Sequence, residues 1–443
     1  MTRYQGDAKG VIAETLLFAV PTLVTLIAEP VFLAVDSIVV GHLGVAQLAA
    51  LGVTSAILGM VTSSFIVLTY GTTSRVARLL GSGDELGALE VGVSSTWLGF
   101  ALGIILSLAL LLSGSEILRL LHSPPAVLPL AERYLSISAL GIPFALVNLA
   151  GVGTLRGMGN ARGIVSIQVI GYILNIALNV TLVFGLGLGI GGSAIGTVTT
   201  QFLIALAYVA LIRKRSRKAR VRILPDPSAM LGVFSVGVPL IVRTLSVRVA
   251  ILAVIWVAES QGTIALAAFG ASMTIWSILA FVLDSVAISA QVIFGKAVGA
   301  GRLEEASAAT STFIRLAVVF GLATGVVEFL LAHLIPEAFV ASQQTRRLMG
   351  EILQVQAPLL VIASVVYMLD GILIGVGDFS YLAHATFWSF VIFVPGTLLV
   401  RFEPGDAIQL WFAFSVFIFA RGITLIARIR KSDWIYRASG LGH

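Results

Sequence analysis

The segments LAALG (48–52) and GTLRGMG (153–159) decide the architecture of this chain, because both return 218 residues later, as LAAFG (266–270) and GILIGVG (371–377). Two further pairs of residues share the same offset: Pro21 with Pro239, and Gly81 with Gly299. A single offset that holds along the whole length without a gap indicates an internal duplication. The chain therefore consists of two homologous halves.

The composition is that of a membrane protein. Hydrophobic residues make up 58% of the 443 residues and charged residues only 11%, whereas a soluble domain carries about 25% charged residues. This composition excludes an ordinary cytosolic enzyme and a disordered protein. The absence of cysteine excludes a disulfide-stapled secreted domain and a Cys-ligated metal site.

Twelve apolar runs are long enough to cross a bilayer, which requires about 20 residues for each spanning helix. We predict an all-α polytopic membrane protein with spans at about 12–41, 45–79, 86–113, 126–155, 161–185, 190–213, 228–259, 262–299, 303–332, 346–376, 380–400 and 406–430. The predicted domains are a six-helix lobe (1–213), a basic cytoplasmic linker (214–227) and a second six-helix lobe (228–443). Because six is even, both halves enter the membrane from the same side and form parallel repeats. This arrangement is typical of alternating-access transporters.

Lysine and arginine are distributed unevenly between the two sides of the predicted bundle. Nineteen fall on one side and five on the other, and the remaining four lie within spans. Because positive residues mark cytoplasmic loops, we expect both termini and the run RKRSRKARVR (213–222) in the cytoplasm. This run resembles a patch for anionic lipid or nucleic acid. A linker lying against acidic headgroups is the simpler interpretation, since no stacking aromatic residues are interleaved with the basic ones.

Several polar residues fall at membrane depth, where a charge costs about 2.5–3.5 kcal/mol. In the first half, Glu29 and Asp36 lie two helical turns apart on the first span, and Asn175 and Asn179 share a face of the fifth. Thr197 of the sixth span is a further candidate. We predict that these residues line a polar pocket in the first lobe, with Glu29 alternatively serving as a packing partner.

Asp36 is the strongest candidate for a functional group in this pocket. No lysine or arginine occurs at its depth in the first six spans. Desolvation without a nearby cation favours the neutral form of a carboxyl group, and a group that must bind and release protons requires such a balance.

The second half has its own charged residues within spans. Arg243 and Arg248 lie on the seventh span, Asp284 on the eighth and Asp370 on the tenth. We predict that they form one net-neutral cluster, either as structural ion pairs or as part of a binding site. A carboxylate held by arginine stays ionised and is a poor proton carrier.

Proline interrupts the first and seventh spans at equivalent places, Pro21 and Pro239. Since proline removes a helical hydrogen bond and permits a kink, each residue predicts either a static bend or a hinge. No nucleotide-binding domain, histidine ligand spacing or catalytic constellation is evident, so we expect neither an enzyme nor a bound cofactor or metal. Ion gradients remain as the energy source.

Five motifs together resemble the multidrug and toxic compound extrusion (MATE) family, and in particular its DinF branch. They are AEP (28–30), VDSIVVGHLG (35–44), LRGMGN (155–160), NIALN…GSAIGT (175–197) and LDGILIGVGD (369–378). The resemblance implies two lobes around a V-shaped cleft and export of organic cations in exchange for H⁺ or Na⁺.

The resemblance also implies roles for individual residues. Asp36 matches the proton-linked acid of the family, Asn175 and Thr197 match its polar partners, and Asp370 matches an acid involved in cation coupling. Many members carry aspartate where this chain has Asn179. That difference favours protonation of a single carboxylate over a two-carboxylate Na⁺ site.

The sequence therefore predicts a proton-coupled antiporter that exports amphipathic, mostly cationic organic compounds across a bacterial plasma membrane. We expect it to act as a monomer in the lipid bilayer, without a nucleic-acid partner. Two alternatives stay open. One is a flippase or exporter of a lipid-linked or anionic amphiphile, for which Arg243 and Arg248 would face the cleft. The other is a Na⁺-coupled drug antiporter.

Overall fold

The computed structural model describes residues 8–121, 124–340, 342–402, 407–431 and 434–439, and all regular secondary structure among them is helical. The helices of the first half are α1 (Ala8–Gly41), α2 (Val45–Ser64), α3 (Val67–Gly81), α4 (Glu85–Leu120), α5 (Leu128–Ala139), α6 (Ile142–Gly157), α7 (Ala161–Val180) with the π-helical turn Thr181–Gly185, and α8 (Ile190–Lys218). The two termini, predicted to be cytoplasmic, lie outside the described residues.

The second half repeats this order, with one continuous helix in place of each of the pairs α2–α3 and α5–α6. Its helices are α9 (Pro227–Ser260), α10 (Thr263–Gly299), α11 (Leu303–Leu331), α12 (Leu334–Phe339), α13 (Gln343–Val376), α14 (Phe379–Phe402), α15 (Ala407–Ile429) and α16 (Trp434–Ser439). Eleven spans among the described residues are long and apolar enough to cross a membrane, when α2 and α3 are counted as one span. The pair α5–α6, which is bent by 48°, makes a twelfth span if it is counted as one. The predicted twelve-helix membrane fold is confirmed.

The helix ends are encoded locally. The Asp84 side chain accepts a hydrogen bond from the Gly87 backbone N–H at 2.8 Å and caps α4, and Asn160 does the same for Gly163 of α7 at 3.2 Å. Glycines with positive φ turn the chain at three pairs of places related by the 218-residue offset: Gly44 and Gly262, Gly83 and Gly301, Gly159 and Gly377. Other residues rarely adopt this conformation, so the duplication extends to the turns.

The same backbone crossing holds the core of each half together. In the first half, a Cβ on Gly153 or Gly157 of α6 would lie 2.7 Å from the carbonyl oxygen of Thr69 or Thr73 of α3. The G-x-x-x-G spacing therefore lets two helix backbones touch, as small residues do between membrane helices. The repeat-equivalent glycines of α13 meet the repeat-equivalent carbonyl oxygens of α10 in the same way: Gly371 with Ala287, and Gly375 with Gln291.

Two compact units share the chain, and their boundaries pass through helices. One unit comprises Val24–Gly237, and the other comprises Met1–Leu23 with Val238–His443. The unit boundary therefore lies within three residues of Pro21 in α1 and of Pro239 in α9. This division is distinct from the sequence repeat, which separates 1–213 from 228–443.

The backbone crossing yields a prediction on stability. Substitution of Gly371 by alanine should lower the thermal unfolding temperature of the detergent-purified protein, because the added methyl group would press on the Ala287 carbonyl at a cost of about 1–3 kcal/mol. A methyl group added to Gly270 of α10 would instead enter open space. The Gly270→Ala variant should be neutral or more stable, because alanine favours helix by about 1 kcal/mol. Equal effects of both variants would contradict the packing argument.

Candidate functional site

A chain of hydrogen bonds ties α1 to α7 and α8 in the Val24–Gly237 unit. The Asp36 Oδ1 atom of α1 accepts from Asn179 Nδ2 at 2.8 Å and from Ser193 Oγ at 2.7 Å. Asn179 Nδ2 also donates to Asn175 Oδ1 at 2.9 Å, and Asn175 Nδ2 donates to Thr197 Oγ1 at 3.4 Å. The predicted pocket residues Asp36, Asn175, Asn179 and Thr197 are therefore brought together.

The Asp36 carboxyl group is buried without a counter-ion. Its residue is 4% exposed, and no ion pair with another described residue is formed. Its partners are a neutral amide and a neutral hydroxyl, and Tyr134, also buried, interacts with it electrostatically. Burial destabilises the ionised carboxyl group, while the two neutral donors stabilise it.

Ser193 is a site residue that the sequence analysis missed. It lies four residues before Thr197 on α8, so the two share a helix face, and this spacing is the signal that could have revealed it. Gly196 of the same helix makes room for the site, because a Cβ there would overlap the Asn179 amide oxygen.

Glu29 stands apart from this hydrogen-bond chain. It is exposed on α1 and has no hydrogen bond to another described residue. Tyr172 of α7 interacts with it electrostatically and stacks on Phe32 with ring centroids 5.2 Å apart. Glu29 and Asp36 thus occupy different environments although they lie on the same helix.

A charged cluster forms in the other unit around Asp370 of α13. Its Oδ2 atom accepts from the Arg243 guanidinium of α9 at 2.6 Å and from the Arg421 guanidinium of α15. Asp284 of α10 lies close to this cluster, since Tyr367 interacts electrostatically with Asp284 and with all three of its members. One carboxylate thus forms ion pairs with two arginines.

Arg248 is not a member of this cluster, contrary to the predicted set. It is exposed and makes no ion pair with the described residues. Five residues separate it from Arg243, which rotates it by about 140° around α9, so the two arginines face different surroundings. The second arginine of the cluster is Arg421; the sequence shows Arg421 as a cation within a span but does not reveal its partner.

Glu328 of α11 is a further buried carboxyl group that the sequence analysis missed. It is 2% exposed, and neither carboxyl oxygen has a hydrogen-bond partner among the described residues. Its repeat equivalent is Leu110, a buried core residue. In the sequence, the feature that could have indicated this buried carboxyl group is a glutamate at a position where the first half has a leucine.

The two halves are chemically different at equivalent places. At the repeat positions of Asp36, Asn175 and Ser193, the second half has buried apolar residues: Val254, Phe393 and Trp411. The Trp411 ring lies 5.6 Å from each of Phe269, Trp276 and Phe414. Aromatic packing therefore occupies the place that corresponds to the polar pocket.

No cluster of three or more histidine, cysteine, aspartate or glutamate side chains that could hold a metal ion occurs within the described ranges. Around Asp36, the donor set is one carboxylate with amides and hydroxyls. The amide of Asn179 turns its N–H group, and not its oxygen, toward Asp36.

Comparison with known proteins gives matches along the whole chain. The MatE family model matches twice, at residues 21–181 and 239–399, which repeats the 218-residue offset. The chain is similar to Protein DETOXIFICATION 44, chloroplastic, of Arabidopsis thaliana, with 28% identity over 84% of this chain and 73% of that protein. DNA damage-inducible protein F of Escherichia coli is 26% identical over 93% of this chain and 91% of its own length.

A solved structure has the same fold. The Vibrio cholerae MATE transporter VcmN in the bent form aligns with a TM-score of 0.88, covering 99% of this chain and 100% of that one. The sequence identity is 18%, so this likeness concerns the fold alone.

The arginine assignment can be tested by stability. Substitution of Arg421 by glutamine should lower the free energy of unfolding by about 1.5–3 kcal/mol, because a buried charged hydrogen bond to Asp370 is lost. The Arg248→Gln variant should stay within about 0.5 kcal/mol of wild type, as exposed positions do. Denaturation of the detergent-purified variants measures both, and equal destabilisation would contradict the assignment.

Proposed function

Because the chain belongs to the MatE family, whose members are transporters and not enzymes, we propose that it is a proton-coupled antiporter that exports amphipathic organic cations. The chain is a multidrug and toxic compound efflux transporter of the membrane. The finer proposal concerns the coupling ion, the charge of the substrate and the acid that links them. It includes a bacterial plasma membrane with both termini in the cytoplasm, a monomeric state and no bound cofactor.

The burial of Asp36 without a cation is the observation that carries this proposal. The carboxyl group is held by Asn179 and Ser193, both neutral. A proton or a cationic substrate can therefore neutralise it, and exchange of one for the other keeps the buried charge balanced. Asp370, in contrast, already has two arginines, which hold a carboxylate in its ionised form.

Protonation would act on the helix contacts. Both described hydrogen bonds end on Asp36 Oδ1, so a proton on Oδ2 displaces neither donor. It does remove the charge, and charge-assisted hydrogen bonds are about twice as strong as neutral ones. Proton binding thus loosens the attachment of α1 to α7 and α8, and this weakening is the step by which we propose that proton entry releases the substrate.

The position of Pro21 and Pro239 supports a hinge over a static bend. The boundary between the two compact units passes through α1 after Leu23 and through α9 after Gly237. Both helices are continuous there, yet each proline lacks the N–H that would complete the helical hydrogen bond. The weakest point of each helix therefore coincides with the place where it leaves one unit and enters the other.

Two alternatives are less well supported. A flippase for an anionic amphiphile was expected to present Arg243 and Arg248 together to the cleft, but Arg243 is paired with Asp370 and Arg248 is exposed on another face of α9. A Na⁺ site would need several oxygen ligands around Asp36, and the Asn179 amide presents its N–H there.

Transport assays separate these possibilities. The assay uses everted vesicles with a preformed pH gradient and an acid-trapped dye that reports its collapse. Ethidium should collapse the gradient in vesicles that contain wild type, and the rate of collapse with Asp36→Asn should be at least tenfold lower. The matched control is Glu29→Gln, which removes an exposed carboxylate two turns earlier on α1 and should keep most of the activity. The response should not depend on Na⁺.

The opposite results have distinct meanings. Retained coupling in the folded Asp36→Asn variant would overturn the role of Asp36 and direct attention to Asp284, Asp370 or Glu328. A strict requirement for Na⁺ would favour the sodium-coupled alternative. Failure of every cation to dissipate the gradient, with anionic amphiphiles transported, would favour the flippase.

The hinge makes a second prediction. Pro21→Ala restores a backbone donor in α1, so it should stiffen the helix and reduce the initial efflux rate in proteoliposomes several-fold, with unchanged or higher thermal stability. The control is Pro30→Ala, which alters the same helix inside the Val24–Gly237 unit. If both variants transport at the wild-type rate, Pro21 is a static bend.

A further inference from the structure

An apolar slot opens at the surface of the Val24–Gly237 unit, away from the Asp36 site. Its volume is about 230 Å³. The walls come from α4, α6 and α8 and the segment after α8: Val93, Thr96, Trp97, Phe100, Val147, Val209, Ile212, Arg213 and Ile223. Apart from Thr96 and Arg213, these side chains are apolar or aromatic. The slot therefore offers a hydrocarbon-like surface with a cation at its edge.

The chain after α8 folds back over this slot. Arg220 adopts a left-handed conformation with φ of 59°, and the Val221 N–H donates to the Ser216 carbonyl at 2.9 Å, which together end α8. The Trp97 indole N–H then donates to the Ile223 carbonyl at 2.9 Å. The indole thus attaches the segment after α8 to α4, and tryptophan commonly occupies the boundary between lipid and water.

A basic groove of about 390 Å³ adjoins the slot along α8, and Arg213 lines both. The groove is lined by Leu206, Val209, Ala210, Arg213, Lys214 and Arg217. Its three cations are exposed, and none of them forms an ion pair with the residues that the structure describes. The groove therefore carries three positive charges that no described acidic side chain neutralises.

The apolar slot and the basic groove together favour one class of ligand. The cations repel the organic cations proposed as substrates. An anionic phospholipid fits both parts, because its phosphate pairs with arginine and lysine while an acyl chain enters the slot.

We propose that this slot and groove form a binding site for one anionic phospholipid of the adjoining bilayer leaflet. The phosphate lies between Arg213, Lys214 and Arg217, and one acyl chain lies against Trp97 and Val209. The bound lipid fixes the end of α8 and the start of the linker to the membrane surface. The site thereby turns a general attraction of basic residues to acidic membranes into a defined contact.

Native mass spectrometry of the full chain in neutral detergent tests this proposal. Wild type should bind one phosphatidylglycerol at least tenfold more tightly than phosphatidylcholine with the same acyl chains, and inorganic phosphate should not compete at equal concentration. Replacement of Arg213, Lys214 and Arg217 by glutamine should reduce that preference at least tenfold, since each cation near an anionic lipid contributes about a fivefold effect. The control replaces three exposed cations elsewhere, Arg162, Arg430 and Lys431, and should change binding less than twofold.

A second pair of variants tests the slot without changing charge. Val209→Trp fills the slot and should weaken phosphatidylglycerol binding several-fold, whereas Leu203→Trp, on an exposed part of α8, should not. Equal binding of both lipids, or equal loss in the two triple variants, would overturn the proposal. An unaffected Val209→Trp variant would also overturn it, because the linker would then attract anionic headgroups only by its charge. All of these outcomes are read from binding, so they are independent of transport activity.

Discussion

The Asp36 carboxyl group must be kept inside an apolar helix bundle by neutral donors alone, and the arrangement of the first half depends on that requirement. Asn179 and Ser193 donate to the same oxygen, Asn175 orients the Asn179 amide, and Thr197 accepts from Asn175. Because an unpaired polar group in hydrocarbon is costly, the three helices that carry these residues have to stay in register. The group that supports the proposed proton exchange is thus also a structural link between α1, α7 and α8.

The two halves share a backbone and differ in chemistry. Glycine turns and the glycine–carbonyl crossing recur at the 218-residue offset, since both are properties of the main chain. The side chains at the polar pocket do not recur: where the first half has Ser193, the second has Trp411 within an aromatic cluster. The duplication therefore preserves the backbone of the two halves, while their side chains give equivalent places a different chemistry.

The polar pocket was predictable to the extent that its residues share local spacing. Asn175 and Asn179 are four residues apart, so their common face follows from helix geometry, and Asp36 stands out because no cation lies at its depth. The pairing of Asp370 with Arg421 was not predictable in this way, since the two lie on α13 and α15 and no spacing relates them. The prediction for Arg248 was wrong for a different reason: its five-residue spacing from Arg243 corresponds to a rotation of about 140° around α9, which separates the two side chains.

The sequence by itself determined the number of spans, the duplication, the helix ends and the glycine turns, because these follow from hydropathy, periodicity and local backbone preference. Only the tertiary structure decided which hydroxyl reaches Asp36, which arginines share Asp370 and where the unit boundary crosses α1 and α9. Those outcomes depend on the rotation and depth of each helix against its neighbours. Packing of whole surfaces sets rotation and depth, and no local pattern of residues encodes them.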